Sequence, residues 1–274
     1  MGRKIAIVSG KGGVGKTTVA CGIALSLAKS GKSVCLIDLD VGLNNLDVLL
    51  GLENKVVYDL ADCISGRCRI KQALVNDSAF ENLYLLPSMR FSSVKISYSE
   101  IQTITDKLAG VFDFVIIDAP AGAGENFELA VKGANEAIVV VTPHMASLRD
   151  ADKVIGIIKG SGIDEVSVIV NRIRGDMVAR REMLNHIQIS KLLKCKIMGV
   201  IPESDDINIY SSFKFDKISK SKAVVAFSIL VHNIKTDKTV IYDYESRYKG
   251  LLGIIRRNIK RSVWNEKYCK QCLQ

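Results

Sequence analysis

The chain has 274 residues, long enough for one large α/β domain or two small ones. Its hydrophobic fraction of 48% and charged fraction of 24% are ordinary for a folded soluble protein, and no run of about 18 apolar residues predicts a membrane-spanning helix. The net charge of +9 lies almost entirely in residues 247–274, which hold eight basic residues and one acid, so the near-neutral body argues against nucleic acid as a partner.

Short apolar runs alternate with longer segments of helical periodicity. Because most of these runs are near-continuous Val, Ile and Leu, they suit parallel strands covered by helices on both faces. We therefore predict an α/β fold with a doubly wound, mostly parallel sheet and right-handed connections. The predicted strands are Ile5–Ser9, Val34–Asp38, Leu83–Leu86, Phe114–Asp118, Ala137–Thr142, Ser167–Asn171 and Ile197–Ile201.

The helices and boundaries follow from the same reading. The first helix should run from near Lys16 to near Ser30, where Gly31 can cap it, and an apolar helical stretch at Ala223–Ile234 should close the domain. The predicted divisions are a domain at 1–238, a linker at 239–247, an amphipathic helix at 248–263 and a short tail at 264–274. Seven cysteines without framework spacing indicate reduced thiols in a cytoplasm.

A glycine-rich loop with the sequence GKGGVGKTT follows the first strand. It satisfies G-x-x-x-x-G-K-[ST] between a strand and a helix, a context in which backbone N–H groups surround phosphate oxygens. Lys16 should neutralise the β- and γ-phosphates and Thr17 should ligate Mg²⁺, so the predicted cofactors are ATP and Mg²⁺. The candidate nucleotide-binding residues of the loop are Gly10, Lys11, Gly12, Gly13, Val14, Gly15, Lys16, Thr17 and Thr18.

Carboxylates stand at the ends of two further predicted strands. Asp118 ends the run Phe114–Asp118, a Walker B pattern whose acid should hold Mg²⁺ through water. Asp38 and Asp40 end the second strand. An acid at a strand end is often only solvated or a helix cap, and it is the nearby phosphate loop that favours a metal site.

The loop also carries a second lysine, Lys11, which by itself could be a solvated surface charge. The whole loop resembles the deviant phosphate loop of the MinD/ParA family of ATPases, in which this lysine reaches across a dimer to the partner's ATP. The resemblance implies an ATP-dependent homodimer and an ATP hydrolase in which Lys11, Lys16 and Asp40 are catalytic. A cation supplied by the partner would stabilise charge on the transferred phosphoryl group.

The resemblance extends to two switch segments. Asp40 matches the first switch, which implies that it positions or deprotonates the attacking water and joins Thr17 and Asp118 at the metal. The sequence that ends at Gly122 resembles the second switch, which implies a backbone N–H near the γ-phosphate.

The adenine base is also assigned by resemblance. Asn171 matches the family's adenine-reading asparagine, and Pro202 would lie beside the base. For Asn171, a cap or turn role stays open.

Four stretches, DVGLNNLD at 40–47, VVYDL at 56–60, SLRDAD at 147–152 and VIPESD at 200–205, resemble the septum-placing branch of this family. This narrower resemblance implies a cytoplasmic ATPase, peripheral on the inner face of the cell membrane, that recruits a MinC-type division inhibitor. A MinE-type activator or a polar scaffold would set its position. The helix expected to start near Asp150 is the predicted partner surface.

The C-terminal segment supports a membrane role without any resemblance. At 100° per residue, apolar side chains fall on one face of a helix and four cations cluster opposite, the pattern of a helix that lies in an anionic membrane surface. One copy should bind marginally, and two copies in a dimer should gain avidity. A helix docked on the protein's own core remains the alternative. The apolar residues are Tyr248, Leu251, Leu252, Ile255, Ile259 and Val263, and the cations are Lys249, Arg256, Arg257 and Lys260.

Three rival functions stay open. A flagellar-number regulator of the same family would share the loop, dimer and amphipathic tail. The pair Cys269-x-x-Cys272 allows an iron–sulfur carrier ATPase, with a cluster bridging a dimer. A DNA-segregation ATPase is disfavoured by the near-neutral body.

Overall fold

The structure is a computed structural model that describes residues 1–40, 45–77, 80–89, 95–204, 221–248 and 253. Most of the predicted membrane face, including Leu251, Leu252, Ile255, Arg256 and Ile259, lies outside the described residues, as does the pair Cys269 and Cys272. Within the described ranges, no helix is long and apolar enough to span a bilayer.

The strands form one eight-stranded sheet. They are β1 (Arg3–Ser9), β2 (Val34–Asp38), β3 (Val75–Asn76), β4 (Leu83–Leu86), β5 (Phe114–Ala121), β6 (Glu136–Val141), β7 (Glu165–Ile173) and β8 (Lys196–Pro202). Their order is β3-β4-β2-β5-β1-β6-β7-β8, and every pairing is parallel except that of β3 with β4. The predicted doubly wound, mostly parallel sheet is confirmed, with all seven predicted strands present. The eighth, β3, was not predicted because two residues show no periodicity.

Helices cover both faces of this sheet. They are α1 (Lys16–Lys29), α2 (Asn45–Leu50), α3 (Leu60–Ile64), α4 (Ile70–Ala73), α5 (Tyr98–Ala109), α6 (Glu125–Lys132), α7 (Met145–Gly160), α8 (Gly175–Ala179), α9 (His186–Leu193) and α10 (Lys222–Thr236), with 3₁₀ turns at Glu53–Lys55 and Ser246–Tyr248. The predicted first helix is confirmed to within one residue, and α10 encloses the predicted closing helix.

The predicted start of the partner-surface helix near Asp150 was wrong, because α7 begins five residues earlier, at Met145. Pro143 lies two residues after the end of β6 at Val141, and a proline cannot donate to the hydrogen-bond ladder of a continuing strand. The side chain of Ser147, in the first turn of α7, then accepts a hydrogen bond of 3.1 Å from the backbone N–H of Thr142. This contact brings the helix start back to the end of the strand.

The core consists of two apolar layers, one on each face of the sheet. On one face, α1 and α10 bury Ile23, Leu27 and Phe227. On the other, α5, α6, α7 and α9 cover the strands, with Phe127 and Ile189 fully buried. Each such side chain contributes about 1.5–3 kcal/mol. Because the central strands are parallel, their carboxyl ends meet at one edge, where an open α/β sheet binds ligands.

Residues 239–247, which we call the connector, were predicted as a linker, and the structure shows that they pack on the domain. The fully buried side chain of Asn233 donates to the carbonyl of Val240 at 2.7 Å and accepts from its N–H at 2.9 Å. Tyr244 is buried, and its hydroxyl shares a hydrogen bond of 2.7 Å with Nδ1 of His186. Tyr248, the described member of the predicted membrane face, is half-buried beside Gly175. The connector therefore leads to Tyr248 beside α8, after Tyr244 has contacted the start of α9.

Candidate nucleotide site

The phosphate loop joins β1 to α1, as the motif predicted. Gly15 precedes α1 with a φ of 87°, in the left-handed region that favours glycine. A Cβ at this position would also lie 2.5 Å from Nδ2 of Asn171. No described side chain caps the start of α1 through a hydrogen bond. The N–H groups of its first turn are therefore available to an anion.

A buried ion pair lies directly behind the loop. Nζ of Lys16 donates to Oδ1 of Asp118 at 2.7 Å and to Oγ1 of Thr17 at 3.3 Å. Lys16 is 6% exposed and Asp118 is fully buried. Burial raises the pKa of Asp118, and the charge of Lys16 opposes that rise. The motif's lysine, hydroxyl and carboxylate are thus in direct contact.

The second oxygen of Asp118, Oδ2, is buried without a hydrogen-bond partner among the described residues. A buried polar atom in this state costs about 1–3 kcal/mol, so native proteins rarely leave one without a function. Oxygen atoms of carboxylates and hydroxyls are the ligands that Mg²⁺ prefers. The unpaired oxygen beside Thr17 fits the predicted metal.

Two more carboxylates face this pair from the next strand. Asp38 stands beside Asp118 in the parallel register of β2 and β5, and its Oδ1 accepts a hydrogen bond of 2.9 Å from the N–H of Asp40. Burial, followed by the negative charge of Asp118, raises the pKa of Asp38 to about 7. Asp38 was among the strand-end acids favoured by the nearby loop, but a specific role was predicted only for Asp40, through its match to the first switch. A divalent cation would neutralise this concentration of acids.

Asn171 and Pro202 lie at the carboxyl ends of the adjacent strands β7 and β8. Asn171 is buried, its Nδ2 donates to the carbonyl of Val14 at 2.8 Å, and its Oδ1 accepts from the N–H of Arg172 at 2.9 Å. Pro202 is buried and pairs in register with Ile173. Asn171 therefore ties β7 to the phosphate loop, and its contact with adenine stays a prediction.

The other predicted residues lie on the outer side of the loop. The N–H of Gly122, expected near the γ-phosphate, donates to the carbonyl of Ser9 at 2.9 Å. Lys11, Gly12 and Gly13 are exposed, while Thr18 is half-buried in the first turn of α1. Gly10 packs against the backbone of Asp150, so the loop touches α7. The structure thus gathers all the predicted nucleotide and metal residues at one edge of the sheet.

Comparison with known proteins agrees with this geometry. Residues 5–214 match the CobQ/CobB/MinD/ParA nucleotide binding domain. The chain belongs to this MinD/ParA family. Within the family, it is 38% identical over 262 residues to the septum site-determining protein MinD of Bacillus subtilis, an alignment that covers 93% of this chain and 97% of that protein. The septum-placing branch is thereby supported over nearly the whole chain.

Solved structures of the MinD/ParA family show the same fold. The chain superposes with a TM-score of 0.81 and 38% identity on MinD in the MinC:MinD cell division complex of Aquifex aeolicus, covering 89% of this chain and all of that one. The septum site-determining MinD of Pyrococcus horikoshii, solved with Mg-ADP, gives a TM-score of 0.76 and 29% identity over 86% of this chain and 97% of that one. These likenesses favour the septum-placing interpretation over the iron–sulfur carrier.

Proposed function

We propose that this chain is a Mg²⁺-dependent ATP hydrolase that dimerises on ATP, binds the inner surface of the cell membrane and places the division septum by recruiting a MinC-type inhibitor. Hydrolysis would release the dimer. The observation that carries the enzymatic part is the buried contact of Lys16 with Asp118, whose second oxygen has no hydrogen-bond partner in the part of the chain that the structure describes. The cellular part rests on the near full-length similarity to MinD proteins.

The residues of the site divide the chemical work between them. When the nucleotide binds, Lys16 would leave Asp118 and contact the phosphates instead. Asp118 would then lose the cation that now neutralises its carboxylate. Thr17 and Asp118 would then hold Mg²⁺, which when bound neutralises charge on the phosphates. Asp40 is half-buried, and its N–H donates to Asp38; in this proposal its carboxylate would orient a water and accept its proton.

The dimer is proposed on the exposure of Lys11. This lysine lies at the outer rim of the loop, whereas Lys16 of the same loop is buried. A cation in that position can reach a nucleotide held by a second copy.

ATPase activity with and without anionic vesicles tests this proposal. Lys11→Ala should lose vesicle-stimulated activity and ATP-dependent dimerisation while keeping nucleotide binding. Lys29→Ala, which removes an exposed lysine at the far end of α1, should change neither. Normal activity and dimerisation in Lys11→Ala would refute the role in the partner's site.

Membrane binding is proposed for residues 249–263. Because Tyr248 packs beside Gly175, a truncation after Tyr248 removes the amphipathic sequence without disturbing that contact. The truncated chain should no longer sediment with anionic vesicles in ATP, and Ile255→Asp should weaken sedimentation where Ile255→Leu does not. Unchanged sedimentation of the truncated chain would contradict the proposal.

The exposed face of α7 is the proposed contact for the inhibitor. This helix touches the phosphate loop at Gly10, so a partner bound to it can respond to the nucleotide. Asp152→Arg, on the exposed face, should weaken capture of a MinC-type inhibitor, whereas Asp164→Arg, beyond the end of α7, should not. Equal capture by both variants would argue against this surface.

Deleting the gene for this chain in its native host distinguishes septum placement from regulation of flagellar number. The proposal expects minicells, which form when septa are misplaced. Normal septa with an altered number of flagella would overturn it.

A further inference from the structure

Two thiols face each other far from the nucleotide site. Cys63 lies in α3 and Cys68 two residues before α4, and their Sγ atoms are 3.6 Å apart. Both side chains are half-buried, whereas Cys21, Cys35 and Cys195 are buried. Among the cysteines that the structure describes, these two are the only pair in contact.

The pair also lines an apolar cavity of about 1180 Å³ at the amino-terminal end of the sheet. Ser33 and Asn82, which directly precede β2 and β4, belong to its wall, so it lies at the end opposite the phosphate loop. A small molecule can therefore approach the two sulfur atoms without entering the nucleotide site. Neither thiol has a described role in the proposed hydrolysis.

The turn between the two cysteines can adjust to a covalent bond. Residues 65–67 are exposed, and Gly66 has a φ of 74°. A disulfide requires the sulfur atoms to approach from 3.6 Å to about 2.05 Å, a shift that an exposed turn can accommodate without disturbing the core. Leu60, which anchors the start of α3 in the core, lies before the first cysteine.

We propose that Cys63 and Cys68 form a reversible intrachain disulfide, which makes this turn a redox modification site. The oxidant class is a low-molecular-weight disulfide such as glutathione disulfide. The thiolate of Cys68 attacks one glutathione sulfur, forming a mixed disulfide and releasing one glutathione thiolate. Cys63 then loses its proton to solvent, and its thiolate attacks Sγ of Cys68, which breaks the bond from Cys68 to glutathione and releases the second glutathione thiolate. Two protein thiols are thereby oxidised while one glutathione disulfide is reduced to two thiols, which take up protons from solvent.

The surroundings support this order of attack. Burial, together with its hydrogen bond to Cys68, raises the pKa of the Cys63 thiol to about 12, so Cys63 is the poorer first nucleophile of the two. The mixed disulfide at Cys68 removes that hydrogen bond to the Cys68 thiol before Cys63 attacks. Arg69 follows Cys68 and is exposed, so it can attract a carboxylate of glutathione, whereas the exposed Arg67 already pairs with Asp62 at 3.3 Å. Cys21 and Cys35 are fully buried, and that burial raises the pKa of both thiols, so they should stay reduced.

Peptide mass mapping of the folded, full-length chain tests the proposal. The protein should carry Cys269→Ser and Cys272→Ser, so that the C-terminal pair cannot contribute, and should be equilibrated in buffers of increasing glutathione disulfide. We expect the peptides of Cys63 and Cys68 to become crosslinked with a loss of about 2 Da, and dithiothreitol to reverse it. Cys63→Ser should stop at a glutathione adduct on Cys68, and Cys68→Ser should remain unmodified.

Three results would overturn the proposal. They are the absence of the crosslink at every glutathione ratio, a glutathione adduct at Cys68 that Cys63 never resolves, or crosslinking only after the protein unfolds. Circular dichroism in the same buffers shows whether the protein is still folded when the crosslink forms, and so identifies the third result. Cys195 is buried and is not part of the pair, so Cys195→Ser serves as a control that should leave the crosslink unchanged.

Discussion

Asp118 and Asn233 are both completely buried polar side chains, yet their surroundings differ sharply. Asn233 has a partner for every group it offers: its Nδ2 donates to the carbonyls of Met198 and Val240, and its Oδ1 accepts from Val240. One oxygen of Asp118 accepts a hydrogen bond from Lys16, and the other has no hydrogen bond among the described residues. The satisfied amide closes the domain around the connector, whereas the unsatisfied carboxylate is suited to a ligand.

Replacing the unsatisfied carboxylate should have the largest effect, and that effect should be on activity. Asp118→Asn keeps the side chain's shape but removes the charge proposed to hold Mg²⁺, so kcat should fall on the order of 10²- to 10³-fold. Steady-state phosphate release measures it. Asp113→Asn, an exposed carboxylate at the other end of β5, should leave kcat unchanged. Similar rates for Asp118→Asn and the wild type would show that the buried acid is structural.

Replacing the satisfied amide should instead reduce stability. Asn233→Ala leaves Met198 and Val240 with unpaired backbone groups, so the free energy of unfolding should fall by roughly 3 kcal/mol, at about 1–3 kcal/mol for each unsatisfied group. Urea unfolding measures it. Asn185→Ala, which removes the half-buried cap of α9, should cost about 1 kcal/mol. A larger loss in Asn185→Ala would reverse the proposed ranking.

Substitution at Gly175 should have a smaller effect on stability, because it should detach the connector and leave the sheet unchanged. A Cβ at Gly175 would lie 1.7 Å from the carbonyl oxygen of Tyr244, so Gly175→Ala must displace the connector at a cost of about 1–3 kcal/mol. Limited proteolysis should then cut within residues 239–247. Gly156→Ala in α7, where nothing lies within 4 Å of the added carbon, should be neutral or stabilising. Equal protease resistance in both variants would show that the connector is not held at Gly175.

The sheet and the phosphate loop could be predicted because their signals are local. Each confirmed strand is a continuous apolar run, and the motif requires only neighbouring residues between a strand and a helix. The strand β3 and the start of α7 depend on contacts made after folding, namely pairing with β4 and the hydrogen bond of Ser147 to Thr142. Short elements fixed by such contacts carry little sequence pattern.

The site shows the same division. Lys16, Thr17 and Asp118 follow from the motif and a strand end, but their ion pair and the unpaired oxygen depend on how β1 and β5 align. The bond from Asn171 to Val14 joins residues 157 positions apart, which no local pattern records. The contact of the connector with Asn233 could not be predicted for the same reason. The chemical role of a single residue could be predicted from its local sequence, whereas contacts between distant segments could not.

The connector should also respond to pH, with the smallest effect of the four. Burial lowers the pKa of His186 below its ordinary 6.5, and Glu245 opposes the shift. The unfolded chain therefore binds this proton more readily, so stability should be lost as pH falls through about 6.5, when folding must keep the imidazole neutral beside Tyr244. Unfolding free energies at pH 7.5 and 5.5 measure the slope, which His186→Gln should reduce. An identical slope in both proteins would show that His186 does not cause the loss of stability in acid. Asp38 and Asp118 would act in the opposite direction, because burial raises their pKa and the folded chain then binds their protons more readily.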